Sequence, residues 1–112
     1  MRFTIDIKPL SVNEAWQGRR FKTQKYKDFE REIEWLLPRN IKPLEGKIEI
    51  RYWWHMKNHA VADWDNPIKT LQDVLKKNGI IIEDRFIYKG TGEKIPSDRD
   101  FVEVEILPYE RQ

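Results

Sequence analysis

Two aspartates placed two residues apart, Asp63 and Asp65 in Ala62-Asp63-Trp64-Asp65-Asn66-Pro67, are the side chains in this sequence best suited to metal chemistry. In extended backbone, side chains at i and i+2 leave the same face, so the two carboxylates would converge. Without a cation they would repel each other. Mg²⁺ removes that repulsion, because it is a hard ion that prefers oxygen ligands. The pair stands just before a predicted helix, whose free N–H groups and dipole attract anions such as phosphate. Lys69, in the first turn of that helix, adds a positive charge. A metal cradle beside a phosphate-attracting helix end is what phosphodiester hydrolysis needs, since the metal activates a water, polarises phosphorus and stabilises the leaving oxygen. Taken alone, Asp-x-Asp reads equally as a helix cap or a solvated pair, and it also occurs in phosphatases and glycosyltransferases of other folds.

Other residues of chemical interest have plainer readings. Lys69 and Asp73 are also a surface i,i+4 ion pair. His55 and His59 have the spacing of helical metal ligands, but His55 falls on a predicted strand and His59 in the loop beyond it, so the spacing loses its meaning. Trp53, on the outer strand face, suits base stacking or, better, burial between subunits. Ser11 and Asn13 read equally as residues that shape a loop. From Trp16 to Lys27 the chain carries Arg19, Arg20, Lys22, Lys25 and Lys27 and no acid. Such a patch binds phosphates even in a chain of small total charge, and reads as well as a solvated loop and helix face.

The elements that must position these residues follow from periodicity. Residues 2–8 alternate, with Phe3, Ile5 and Ile7 on one side, which predicts a half-buried strand. Thr23 is the N-cap of a predicted helix whose Tyr26, Phe29, Ile33, Leu36 and Leu37 share a face and which Pro38 stops. A polar loop with a second proline, Pro43, runs to Gly46. Residues 47–56 predict a strand with Ile48, Ile50, Tyr52, Trp54 and Met56 inward. The second helix runs from about Pro67 to Asn78, capped by Asp65 or Asn66, with proline in its first turn and Gly79 at its end. Ile68, Leu71, Val74 and Leu75 form its buried stripe, and Lys69, Asp73 and Lys76 lie together on another face. Ile80–Ile82 is a short apolar run ahead of Glu83-Asp84. Residues 86–95 and 101–107 are strand candidates, weakened in the first by Gly90 and Gly92. The order β, α, β, α, β, β predicts an α+β fold: a mixed sheet packed with two main helices.

Length and composition agree with that frame. The chain has 112 residues, enough for one domain spanning 1–112. Five Trp and five Phe supply a core despite a charged fraction of 36%. There is no cysteine, which excludes disulfides, thiolate zinc sites and cysteine nucleophiles. The first residues carry no apolar signal core, and no apolar run reaches the ~20 residues of a membrane span. A soluble, intracellular, cytoplasmic protein is expected. The net charge of +2 does not by itself demand a nucleic-acid partner.

Asp63-Trp64-Asp65-Asn66, Lys69, Asp73, Leu75, Gly79 and Glu83-Asp84 together resemble the signature of RusA-type Holliday junction resolvases. That signature is Asp-x-Asp-Asn, a lysine three residues on, a helix carrying Asp and Leu, a glycine and a final acidic pair, and the spacing matches without a gap. Pro9-x-Ser11-x-Asn13, with Trp16, is similar to the family's early motif. The resemblance covers the chain from the first strand to Asp84, while Arg85–Gln112 fits in general character. Pro67 departs from the family's usual apolar residue, and Asn58–Ala62 lacks the basic cluster of some relatives, for which the patch Arg19–Lys27 is a substitute. The resemblance implies that Asp63, Asp65 and Asp84 are metal-binding catalytic carboxylates. Lys69 would contact phosphate or stabilise transition-state charge, and Asn66 would support the site or cap the helix. It further implies a homodimer using Mg²⁺, with Mn²⁺ as a substitute, that nicks opposing strands of a four-way junction in DNA recombination and repair. Two symmetric cuts call for two sites about a two-fold axis. Asn13, Arg19, Arg20, Lys22, Asn66 and Lys76 are the candidate DNA contacts. A non-catalytic branched-DNA-binding module of the same fold and a small metal-dependent nucleotide phosphohydrolase are the rival expectations.

Overall fold

The computed structural model describes residues 1–18 and 21–111. The alternation in Arg2–Ile5 makes the first strand, β1, with Phe3 and Ile5 buried. Ser11 then caps a single helical turn, α1 (Val12–Ala15), its Oγ accepting from the Glu14 N–H at 3.2 Å. A two-residue ribbon follows, β2 (Trp16–Gln17) antiparallel to β3 (Phe21–Lys22). Thr23 caps α2 (Gln24–Leu36) as expected, accepting from the Tyr26 N–H at 3.2 Å. Then come β4 (Ile48–Met56), α3 (Asn66–Lys77), a 3₁₀ turn at Asp84–Phe86, β5 (Ile87–Pro96) and β6 (Phe101–Pro108).

The main sheet has the order β1-β6-β4-β5. β6 is antiparallel to both β1 and β4, whereas β4 and β5 are parallel, so the sheet is mixed. Parallel neighbours need a crossover, and α3 supplies it. The fold is the α+β arrangement the pattern of elements predicts.

The inward residues of β4 are those expected: Ile48, Ile50, Tyr52, Trp54 and Met56 are all buried. They join one hydrophobic cluster with Val102, Val104 and Ile106 of β6, Tyr26, Phe29 and Ile33 of α2, and Leu71, Val74 and Leu75 of α3. Burying a side chain of this size contributes about 1.5–3 kcal/mol, so three on α3 fix which way that helix faces. One expectation fails at the edge of the pattern. Leu36 is 41% exposed, because α2 ends there and Leu37 turns inward alone. In the apolar run after α3, Ile80 and Ile81 are buried and Ile82 is exposed.

The opposite sheet face is polar. Arg51 contacts Glu49 and Glu105, while Glu103 receives Arg2 at 2.8 Å and meets His55 at 2.7 Å. Trp53 lies under the Arg2 guanidinium, 4.6 Å from ring centre to carbon.

Candidate active site

α3 is the element that presents the site, and both its ends are defined by local chemistry. At its start Asp65 is the N-cap residue, but its side chain makes no capping bond. At its end Gly79, at φ +77°, occupies the left-handed position that favours glycine. The Gly79 N–H donates to the Lys76 carbonyl at 3.1 Å and the Ile80 N–H to the Leu75 carbonyl at 3.0 Å. This is a Schellman closure. It turns the chain back so that Asp84 returns against the outer face of α3.

That return assembles a cluster of charges. Lys69, Gln72, Asp73 and Lys76 lie on one helical row, being three or four residues apart. Lys69 Nζ is 3.0 Å from Asp73 and 3.6 Å from Asp84, and Lys76 Nζ is 3.3 Å from the same Asp84 oxygen. Gln72 Nε2 donates to the other Asp84 oxygen at 3.4 Å, and the Tyr52 hydroxyl lies 3.4 Å from Gln72 Oε1. A relay therefore runs from the buried face of β4 through Gln72 to Asp84.

The electrostatics follow. Partial burial acts to raise the Asp84 carboxyl, but the Lys76 hydrogen bond, the charges of Lys69 and Lys76 and the Gln72 amide outweigh it and hold it below the usual aspartate range. Lys69 is held above the ordinary lysine value, first by its contact with Asp73 and then by the charge of Asp84. Burial, reinforced by Asp84 and Asp73, raises the Tyr52 hydroxyl so far that it stays neutral. Asp84 is therefore an anion and Lys69 a cation at neutral pH.

Asp63 and Asp65 stand on the loop between β4 and α3, and both are exposed. The extended backbone that would aim them the same way is absent, since the chain bends at Trp64 and Asp65. Asp65 has φ −105° and ψ −21°, already in the helical region. Asp63 instead lines an opening of about 300 Å³ with Asn66, Asn58, Pro9, Ser11 and Lys8. The loop after β1 and the acidic loop thus meet across one cleft. Among the described residues, no three of His, Asp and Glu stand together as a ready metal cage.

The remaining candidates are dispersed. Asn13 is exposed and does not line that opening. Lys22 is occupied, with Nζ 3.1 Å from Glu30, which also receives Lys77 at 2.9 Å. Lys76 is engaged with Asp84. Arg19 and Arg20 lie outside the described residues. Sequence reasoning missed Gln72 and Tyr52. Gln72 was findable from its place on the Lys69–Lys76 row, whereas nothing local marked the Tyr52 hydroxyl.

The sequence that builds this fold matches a class of DNA-cutting enzymes. The family described as Endodeoxyribonuclease RusA matches residues 7–107. The chain belongs to this family of Holliday junction endodeoxyribonucleases. It is also 28% identical over 96 residues to a crossover junction endodeoxyribonuclease RusA of Aquifex aeolicus, a match spanning 83% of this chain and 76% of the relative.

Proposed function

We propose that the protein is a Mg²⁺-dependent endodeoxyribonuclease that resolves four-way DNA junctions by paired nicks as a homodimer. The observation that carries this reading is the gathering of Lys69, Asp73, Lys76 and Asp84 on the outer row of the helix that Asp63 and Asp65 precede.

The donor set suits a hard divalent cation. Among the described residues neither Asp63 nor Asp65 is engaged in an ion pair, and both are open to solvent. Mg²⁺ is commonly held by one or two carboxylates with water and substrate phosphate completing the shell. Asp63 and Asp65 would hold it, and Asp84 would join by exchanging a lysine contact. When bound, the ion supplies an activated water and charge stabilisation at phosphorus. Lys69, a cation in the first turn of α3 held by Asp73 and Asp84, would stabilise the charge that builds on phosphate oxygens. Asp73 and Asp84 orient its ammonium, and Gln72 orients Asp84. Asn66, in the first turn of α3, lines the same opening as Asp63 and would support the site from there. Asn13, Arg19, Arg20, Lys22, Asn66 and Lys76 are the DNA contacts of this reading. Lys76 reaches phosphate by leaving Asp84, which costs little at an exposed ion pair, and Lys22 by leaving Glu30, which keeps its contact with Lys77.

The test is incubation of a labelled synthetic four-way junction with the protein in Mg²⁺, in Mn²⁺ and in EDTA, followed by mapping of the cuts. Symmetric nicks that require the metal are expected. Junction binding without nicking in any divalent ion would favour the non-catalytic module. Hydrolysis of free nucleotides with intact DNA would favour a phosphohydrolase.

A further inference from the structure

β5 is an edge strand, and its inward positions are unlike those of its neighbour. In parallel register Gly90, Gly92 and Lys94 stand beside Ile50, Tyr52 and Trp54, so the strand turns two glycines and a lysine toward the buried side. Lysine on a sheet edge ordinarily keeps its charge in water. Lys94 is instead half-buried, and its ammonium donates to two backbone carbonyls, those of His59 and Ala62, both at 2.6 Å. These carbonyls belong to the loop that leads into Asp63. Within that loop the Val61 and Ala62 N–H groups both return to the Asn58 carbonyl. From Asn58 to Ala62, its hydrogen bonds to the rest of the described molecule come from Lys94 alone.

Gly92 makes the second attachment. A Cβ there would stand 3.2 Å from Trp54 Nε1, 3.3 Å from Ile68 Cδ1 and 3.3 Å from Trp64 Cε3. Trp54 is fully buried and cannot yield, whereas Trp64 is half-exposed. The missing side chain is therefore the space into which Trp64, between the two aspartates, packs.

We propose that Lys94 is a positioning residue for the acidic loop: its ammonium clamps the His59 and Ala62 carbonyls while Gly92 seats Trp64, and together they set where Asp63 and Asp65 are presented. Charge-assisted hydrogen bonds are about twice as strong as neutral ones, and two of them satisfy an ammonium that would be costly to bury alone. The clamp's bearing on catalysis rests on the nuclease reading above, whereas its bearing on loop order does not.

The experiment compares wild type, Lys94→Met and Lys94→Arg by hydrogen exchange over residues 58–65 in metal-free buffer, and by single-turnover nicking of a four-way junction in Mg²⁺. Lys94→Met keeps the stem and loses the donors. It is expected to speed exchange in 58–65 about tenfold, with β4 and α2 still protected. Nicking should slow by about 10–100-fold, the usual loss when a group supporting a metal ligand is removed. Junction affinity without metal should stay within about threefold, so that the loss lies in the rate and not in binding. Lys94→Arg, which can also donate to both carbonyls, should recover much of both. Unchanged exchange in Lys94→Met overturns the clamp. Raised exchange with wild-type nicking overturns its role in presenting the aspartates. A wild type that cuts no DNA defeats the nuclease reading, and the exchange comparison then decides the clamp by itself. If Lys94→Met unfolds globally, Gly92→Ala decides: it should loosen 58–65 while sparing β4, and wild-type exchange there overturns the proposal.

Discussion

Replacing Lys69 by methionine separates a catalytic lysine from a decorative one. The side chain is 61% exposed, and its partners Asp73 and Asp84 are 30% and 36% exposed. Pairs this open contribute about 0–1 kcal/mol, and an i,i+4 helical pair about 0.3–0.5 kcal/mol. Methionine keeps the aliphatic stem and good helix propensity. The expected stability loss is therefore under about 1 kcal/mol, or a fall in melting temperature of about 2–5 °C for a domain of this size. Loss of a preorganised charge aimed at transition-state oxygens costs about 10²–10³ in rate. Calorimetry paired with single-turnover nicking of a labelled four-way junction measures both. A thermally near-normal protein that cuts at least about a hundredfold more slowly is expected. Nicking within about threefold of wild type would refute the assigned role and return Lys69–Asp73 to a surface ion pair.

Three further outcomes follow from the same geometry. Tyr52→Phe removes the hydroxyl that meets Gln72 at 3.4 Å, so chemical unfolding should show a loss of about 0.5–1.5 kcal/mol, with slower nicking as Asp84 loses its orientation. Because the Asp84 carboxyl is held below the usual aspartate range, its contribution is complete above that range and is lost as pH falls through the lowered value. The melting-temperature difference between wild type and Asp84→Asn should accordingly vanish in acid, and an Asp84 titration in the ordinary range by NMR would contradict this. Glu30 receives both Lys22 and Lys77 with its side chain only 11% exposed, so Glu30→Ala should cost about 1.5–3 kcal/mol in urea unfolding and loosen the β2–β3 ribbon.

Much of this frame was legible because its signals are local and repeated. Five apolar residues at alternate positions predicted β4 to within one residue of its start, at 47–56 against Ile48–Met56. Thr23 and Gly79 marked helix ends through side-chain and φ requirements that act within a few residues. The α1 turn and the β2–β3 ribbon were missed, since elements of four and two residues are shorter than any period that could reveal them. Gly90 and Gly92 weakened β5 as a strand, yet Gly92 is there because Trp54, Ile68 and Trp64 crowd that face. The row Lys69, Asp73 and Lys76 was legible from helical spacing, but its junction with Asp84 depends on how the chain folds back after Gly79. The expectation that Asp63 and Asp65 point the same way assumed extended backbone, and the bends at Trp64 and Asp65 remove that premise. Lys94 gave no signal at all, because a lone lysine in a strand reads as solvated until the carbonyls it grips are placed.

The most direct measurement is cleavage of a synthetic four-way junction in Mg²⁺ by wild type and by Asp65→Asn, which keeps the side chain's size, disturbs no capping bond and removes one carboxylate charge. Paired nicks by wild type and a loss of at least about a hundredfold in the variant, with junction binding retained, are predicted. Equal cleavage by the two proteins would contradict the assignment of Asp65 to the catalytic site.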